Sequence, residues 1–222
     1  MSVPITPERV AAGQAVYTSR SLKFYDAFVV GFSNRFVWRC PSHELRALYA
    51  ERASANHLDV GVGTGYYLDR CPFPAGMRLA LMDLNPDCLA FAAKRLARLN
   101  PRTHRANVLE PIPWDEPCFD SVGTCYLFHC LPGSWPEKGA AFGHLKALLN
   151  PGGTLFGATL LGKGTRHNAL ARRLRALYNA KGIFTNADDD LDGLRAELEQ
   201  RFEHVDIRTV GCVALFSAKD RS

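Results

Sequence analysis

The chain has no apolar run approaching the roughly 20 residues needed to cross a bilayer. Its opening residues, Met1 to Tyr17, lack a basic stretch followed by an apolar one, the pattern of an export signal. The expectation is a cytoplasmic protein with no membrane partner. No two cysteines stand as CxxC; the seven occur singly at 40, 71, 88, 118, 125, 130 and 212, with no histidine at zinc-finger spacing. Neither a disulfide framework nor a metal site is expected, and a reducing compartment follows. Nor does one charge dominate, since 27 Lys and Arg stand against 22 Asp and Glu. The basic residues are scattered. Their short groups at Lys94, Arg95 and Arg98 and at Arg172, Arg173 and Arg175 fall in helical patterns and read as solvated faces. A nucleic-acid partner is not expected.

What is present suits one globular domain, because 222 residues at 47% hydrophobic content can bury a full core. The informative stretch is His57 to Gly65, HLDVGVGTG. Mostly apolar residues run into glycines at 61, 63 and 65, the way a buried strand ends when its backbone turns tightly beside a ligand. A dinucleotide loop, G-x-G-x-x-G, would need a small residue where Tyr66 stands, and a P-loop would need a Lys that is missing. What remains is D-x-G-x-G-x-G, with Asp59 two residues before the turn. A second apolar strand, LALMD, ends at Asp83, where a doubly wound fold places a ribose-binding carboxylate.

Together these residues resemble motif I and the following acid of the class I S-adenosylmethionine-dependent methyltransferases. The resemblance runs from about residue 40 to the end and includes the LNPGG turn at 149–153. It implies a Rossmann-like α/β fold with seven strands, mostly parallel, the last antiparallel. It also implies S-adenosyl-L-methionine as cofactor, with S-adenosyl-L-homocysteine as product. Asp59, Gly61, Gly63, Thr64 and Gly65 would meet the methionine part and Asp83 the ribose, with Leu84 also in the cofactor set. Asn107 and Val108 would meet the adenine, and Cys125 closes the set at the end of the fourth strand. The segments GQAVY, LKFYD, GFSNRFVWRCP, KGIF and GCVALF also resemble a narrower group of small methyltransferases, the YbcY type.

Ahead of this core, residues 1 to about 15 read as a loosely docked arm. Tyr17, Phe24, Tyr25, Phe28, Phe32, Phe36 and Trp38 then crowd one stretch. Their spacing predicts one or two short helices broken near Gly31 and Ser33-Asn34, an aromatic helical cap in which some rings seal the edge of the core and others cover an apolar acceptor pocket. The domain thus divides into arm and cap (1–40) and core (41–222). Ser42 is the expected cap of the next helix. YYLDRC is expected to begin another, its first amides facing the cofactor carboxylate.

The acceptor side is less determined. Tyr25 and His129 are the candidate catalytic residues, Tyr25 and Trp38 with Tyr66 and Phe184 are the candidates to touch the acceptor, and Arg166, His167 and Tyr178 could close its far wall. His129, in the loop after the fourth strand, is either a general base or a histidine that hydrogen-bonds backbone in a tight turn. Methyl transfer often needs no strong base, because alignment supplies much of the acceleration. The absence of [DNS]-P-P-[YFW] argues against a nucleobase amine as acceptor. Three aspartates at 188–190 read as the start of a helix, complementing its dipole. The expected activity is methyl transfer by in-line displacement to an O, N, S or C atom of a small apolar or aromatic metabolite, by a monomer or homodimer. The alternatives are a methyltransferase acting on RNA or protein, and a cofactor-binding partner without catalysis.

Overall fold

In the computed structural model, which describes residues 6–14 and 26–220, seven strands form one sheet in the order β3-β2-β1-β4-β5-β7-β6. The strands are β1 (Asn56–Val60), β2 (Arg78–Asp83), β3 (Arg102–Arg105), β4 (Phe119–Cys125), β5 (Leu149–Leu160), β6 (His204–Val210) and β7 (Val213–Lys219). β1 to β5 run parallel, and β7 pairs antiparallel with both β5 and β6. This is the doubly wound arrangement with a closing hairpin that the sequence predicts.

The central strands read as continuous apolar runs because helices cover both faces. In β2, Leu79 and Leu81 enter the core on one side of the sheet with Trp38, Leu45 and Phe156. Ala80 and Met82 enter the other with Leu58, Val60 and Phe142. The edge strand β3, RTHR, is charged and largely exposed, which blunts an open row of backbone groups.

The helices are α1 (Pro7–Gln14), a π-helix (Asp26–Val37), α2 (Ser42–Arg52), α3 (Tyr66–Asp69), α4 (Pro86–Arg95), α5 (Trp135–Lys138), α6 (Ala140–Lys146), α7 (Ala169–Ala180) and α8 (Leu191–Glu199). Several depart from the sequence reading. The arm is helical over α1, and Gly13 is packed so closely that a Cβ there would lie 2.6 Å from the Cys130 carbonyl oxygen. The expected break at residues 31–34 is instead the middle of the π-helix. Pro41 takes the N-cap position of α2, and Ser42 Oγ donates to the Val30 carbonyl at 2.6 Å. α3 is a single turn. α5 and α6 meet at Gly139, where a Cβ would collide with the Glu197 carboxylate of α8. β5 begins within the LNPGG run, with Gly152 at φ +74°. Tyr17, Phe24 and Tyr25 lie outside the described residues, while Phe32 and Phe36 pack on each other at 5.4 Å and are exposed, so this part of the expected cap does not cover the cavity. No helix among the described residues is long and apolar enough to cross a membrane.

Candidate cofactor cavity

The strand order reverses between β1 and β4, and their exit loops part at the carboxyl ends of the strands. A crevice opens there in any fold of this topology. Here it is walled by residues 59–68 after β1, 83–85 after β2, 106–108 after β3 and 125–127 after β4, with α1 and the π-helix adding Val10, Gly13, Val30 and Asn34.

The loop after β1 turns because Gly61, Gly63 and Gly65 all take positive φ, at 71°, 50° and 69°. At Gly61 a Cβ would also strike Leu127 at 2.9 Å, whereas Gly63 faces open space. Asp59, just upstream, is buried and its Oδ1 accepts from the Tyr49 hydroxyl of α2 at 2.7 Å. Burial and the neighbouring Asp59 charge hold the Tyr49 phenol well above its usual pKa, so it stays a donor. His57 Nε2 stands 3.6 Å from the same oxygen.

Asp83 ends β2 at the middle of the cavity. Its Oδ1 accepts from the Asn85 amide at 2.9 Å, and the amides of Val62 and Gly63 also donate to the carboxylate. Burial nevertheless pushes its pKa up to about 6. Beyond it Asn107 and Val108 line the far end. The Asn107 amide is engaged within its own loop, donating to Glu110 Oε1 at 2.7 Å and accepting from the Leu109 amide at 3.1 Å.

The π-helix bonds to this frame at two places. Asp26 accepts from Thr64 Oγ1 and from Arg95 Nη2, both at 2.6 Å, so Arg95 does not belong to a solvated face. Asn34 donates through Nδ2 to the Tyr67 hydroxyl at 2.8 Å, and the Tyr67 ring stacks on Tyr49 at 5.8 Å. Asn34 Oδ1 is buried with no hydrogen-bond partner among the described residues.

Of the residues singled out by sequence, Asp59, Gly61, Gly63, Thr64, Gly65, Tyr66, Asp83, Leu84, Asn107, Val108 and Cys125 line this one cavity. His129, Trp38 and Phe184 do not. The His129 ring is buried edge-on against Phe184 at 4.7 Å, and its Nδ1 faces the Leu160 amide at 3.5 Å. Burial and the nearby Lys138 charge lower its pKa to about 3. Trp38 and Tyr178 pack on Phe184 in turn, at 6.1 and 4.9 Å. His167 lies apart, bonded to Thr165 and facing Arg175.

Behind that aromatic group lies a buried ion pair that the sequence reading missed. Lys138 Nζ reaches both oxygens of Asp189, at 3.0 and 2.9 Å, and donates to the Thr185 carbonyl at 3.1 Å. Burial disfavours both charges, pushing the lysine down and the Asp189 carboxyl up to about 6. The Thr185 amide donates to the His129 carbonyl at 2.9 Å, so residues 185–189 brace the loop after β4. Only Asp190 of the three aspartates caps α8, accepting from the Gly193 amide at 2.8 Å, while Asp188 pairs with Lys163 at the surface. Asn34, Tyr49 and Asp26 were likewise missed. Their roles are not written in their local sequence, since each acts through a partner in another element of the fold.

The residues fit S-adenosylmethionine. Asp83 offers a buried carboxylate able to accept from two hydroxyls, apolar Leu84 and Val108 can flank a flat ring, and Gly63 leaves space beside its backbone. The comparisons with known proteins agree. The family described as "Methyltransferase domain" matches residues 58–155. The chain is 43% identical to the demethylluteothin O-methyltransferase of Streptomyces thioluteus, over 95% of this chain and 92% of that one. It is 40% identical to the Escherichia coli protein YbcY, over 86% of this chain and all of YbcY. The structure of DhpI in complex with S-adenosylhomocysteine shares the fold at TM-score 0.68 and 14% identity, covering 98% and 99% of the two chains. The chain therefore belongs to the class I S-adenosylmethionine-dependent methyltransferases.

Proposed function

We propose that this enzyme methylates a hydroxyl oxygen of a small apolar or aromatic molecule, by direct in-line displacement. The observation that carries the reading is the order of groups along one cavity: Asp59 and the glycine loop, then Asp83, then Val108. That order matches amino acid, ribose and adenine in the cofactor. When bound, the cofactor supplies a methyl group already activated on a sulfonium.

The chain's own residues bind, orient and exclude water. Asp83 accepts from the ribose hydroxyls, the Val108 and Leu84 side chains hold the adenine, and the glycine loop takes the amino-acid portion. Asp59 is fixed by Tyr49 so that its charge stays at the amino-acid end. The acceptor lies between Tyr66 and the apolar residues that α1, the π-helix and the loop after β4 contribute, namely Val10, Val30, Leu131 and Pro132. Trp38 and Phe184 act from behind that loop, setting its position. His129 stays uncharged in the neutral range and shapes the loop through its backbone and ring, so catalysis rests on alignment. The oxygen acceptor is supported by the activity named for the Streptomyces thioluteus relative.

Calorimetric titration with S-adenosylmethionine, S-adenosylhomocysteine and NAD tests the cavity. Binding of the first two alone is expected. Mass spectrometry of apolar phenols, thiols and amines incubated with enzyme and cofactor then tests the acceptor, with O-methyl products expected. Methylation of thiols or amines in place of phenols would overturn the oxygen assignment.

A further inference from the structure

His57 precedes Asp59 by two residues on β1, so both side chains leave the strand on one face. The His57 ring is wholly buried and stacked with Phe156 at 5.6 Å and Phe73 at 6.3 Å. Where its protons sit follows from three short contacts, each of which must contain one. Ser54 Oγ lies 2.8 Å from the Asn56 carbonyl, which can only accept, so the Ser54 proton is there. Ser54 Oγ also lies 2.9 Å from Ser121 Oγ, and the proton of that contact therefore belongs to Ser121. Ser121 Oγ in turn lies 2.8 Å from His57 Nδ1, so this third contact takes its proton from the ring. Nδ1 is a donor.

A neutral ring has only that one N–H, which leaves Nε2 a bare lone pair. Nε2 is buried without a hydrogen bond, 3.6 Å from Asp59 Oδ1, and His57 is the one basic side chain paired with Asp59 among the described residues. The other titratable groups around the carboxylate bring no positive charge: Asp83 adds a negative one, and burial keeps the Tyr49 phenol and the Cys71 and Cys125 thiols protonated. A lone pair facing a carboxylate is repelled. A proton on Nε2 turns the same contact into an ion pair of zero net charge. Asp59 Oδ1 lies toward α2 and β4, where Tyr49 donates to it and a Cβ on Gly123 would stand 2.8 Å away. Oδ2 has no hydrogen bond among the described residues, and the side chain keeps 5% of its surface open, in the cavity wall.

We propose that His57 is a positioning residue that acts through Asp59: before the cofactor binds, Nε2 carries a proton and holds the carboxylate, and when the cofactor's α-ammonium meets Oδ2 that proton leaves Nε2 for bulk water. Nδ1 keeps its own proton on Ser121 throughout, so the ring and the carboxylate stay in place. Asp59 thus faces one cation at a time. The inference rests on the cofactor orientation given above, with the amino-acid end at Asp59.

The test is calorimetry on the full chain at about pH 6, just below the ordinary imidazole value, in buffers of different ionisation enthalpy, which counts the protons released on binding. The probes are S-adenosylhomocysteine and 5′-deoxy-5′-methylthioadenosine, which lacks the amino acid. Asp83 meets the ribose of both, so any proton it releases is common to them. In the parent chain S-adenosylhomocysteine should bind more tightly and release up to about one proton more. In His57→Gln that excess should vanish while the tighter binding remains. Equal proton release by the two probes in the parent, with S-adenosylhomocysteine still preferred, would overturn the role of His57 and leave the cofactor orientation standing. That comparison needs no variant to fold. Persistence of the excess in folded His57→Gln would assign the proton to another group and overturn the proposal as well. If the parent bound S-adenosylhomocysteine no more tightly than 5′-deoxy-5′-methylthioadenosine, or bound neither, the cofactor orientation itself would fall and the role of His57 with it.

Discussion

Thr64 Oγ1 donates to Asp26 Oδ1 at 2.6 Å, tying the first residue of the π-helix to the glycine loop across 38 positions of sequence. The other oxygen of Asp26 holds Arg95 of α4, so one carboxylate joins the N-terminal segment to the glycine loop and to α4. Asp26→Ala should release that segment. The expected result is S-adenosylhomocysteine dissociation faster by about tenfold, the effect of losing charge-assisted bonds, read by stopped-flow competition. An unchanged off-rate would show that the ligand leaves by another route.

Asp83 predicts opposite pH responses for stability and binding. Its carboxyl titrates near 3.9 in an unfolded chain and at about 6 in the folded one, where burial disfavours the charge. The raised value means that its contribution to stability is complete below about 4 and is lost as pH rises through about 6. Ribose recognition uses the ionised form, so affinity should move the other way. From pH 7 to 5, S-adenosylhomocysteine affinity should fall about tenfold as the ionised fraction drops. Asp83→Asn should flatten this profile, and a parent profile flat over that range would contradict the assignment.

His129 separates alignment from base catalysis. Its pKa, lowered to about 3 by burial and by Lys138, leaves it neutral from pH 4 upward. Turnover should show no inflection near 6.5 from this ring. His129→Asn should lose about 1–3 kcal/mol of stability by leaving poorer packing and bonding, while kcat of the folded variant stays within about tenfold. A larger fall in kcat with unchanged cofactor affinity would restore the histidine as a base.

The Lys138–Asp189 pair should be costly to break from one side. Lys138→Met leaves the Asp189 carboxylate buried without its partner, a loss of about 3–5 kcal/mol in urea denaturation. The double change Lys138→Met with Asp189→Leu should recover a substantial part of it, because no uncompensated charge remains. Additive losses in the double variant would show that the pair's worth lies in the surrounding bonds to Thr185, not in charge balance.

The fold, and the residues that come to line one cavity, were legible because their signals are local. Glycines at alternate positions after an apolar strand, and an acid at the end of the next, carry their meaning within a few residues. In the structure Asp59, Gly61, Asp83 and Val108 accordingly line one cavity. The Asn85 cap of α4, which accepts from the Asp87 amide at 2.9 Å, is equally short-range.

The sequence by itself determined the α/β order, the switch point and the class of cofactor, since strand periodicity and turn chemistry depend on neighbouring residues. Only the tertiary structure decided which groups meet. Asn34 joins Tyr67 across 33 positions, Lys138 joins Asp189 across 51, and Arg95 joins Asp26 across 69. It also decided that His129 faces the core, where burial strips it of charge, and that Asp189 pairs inward instead of capping a helix. Such contacts are fixed by packing between elements, and a side chain's hydrogen-bonding capacity does not encode which distant partner the fold will bring to it.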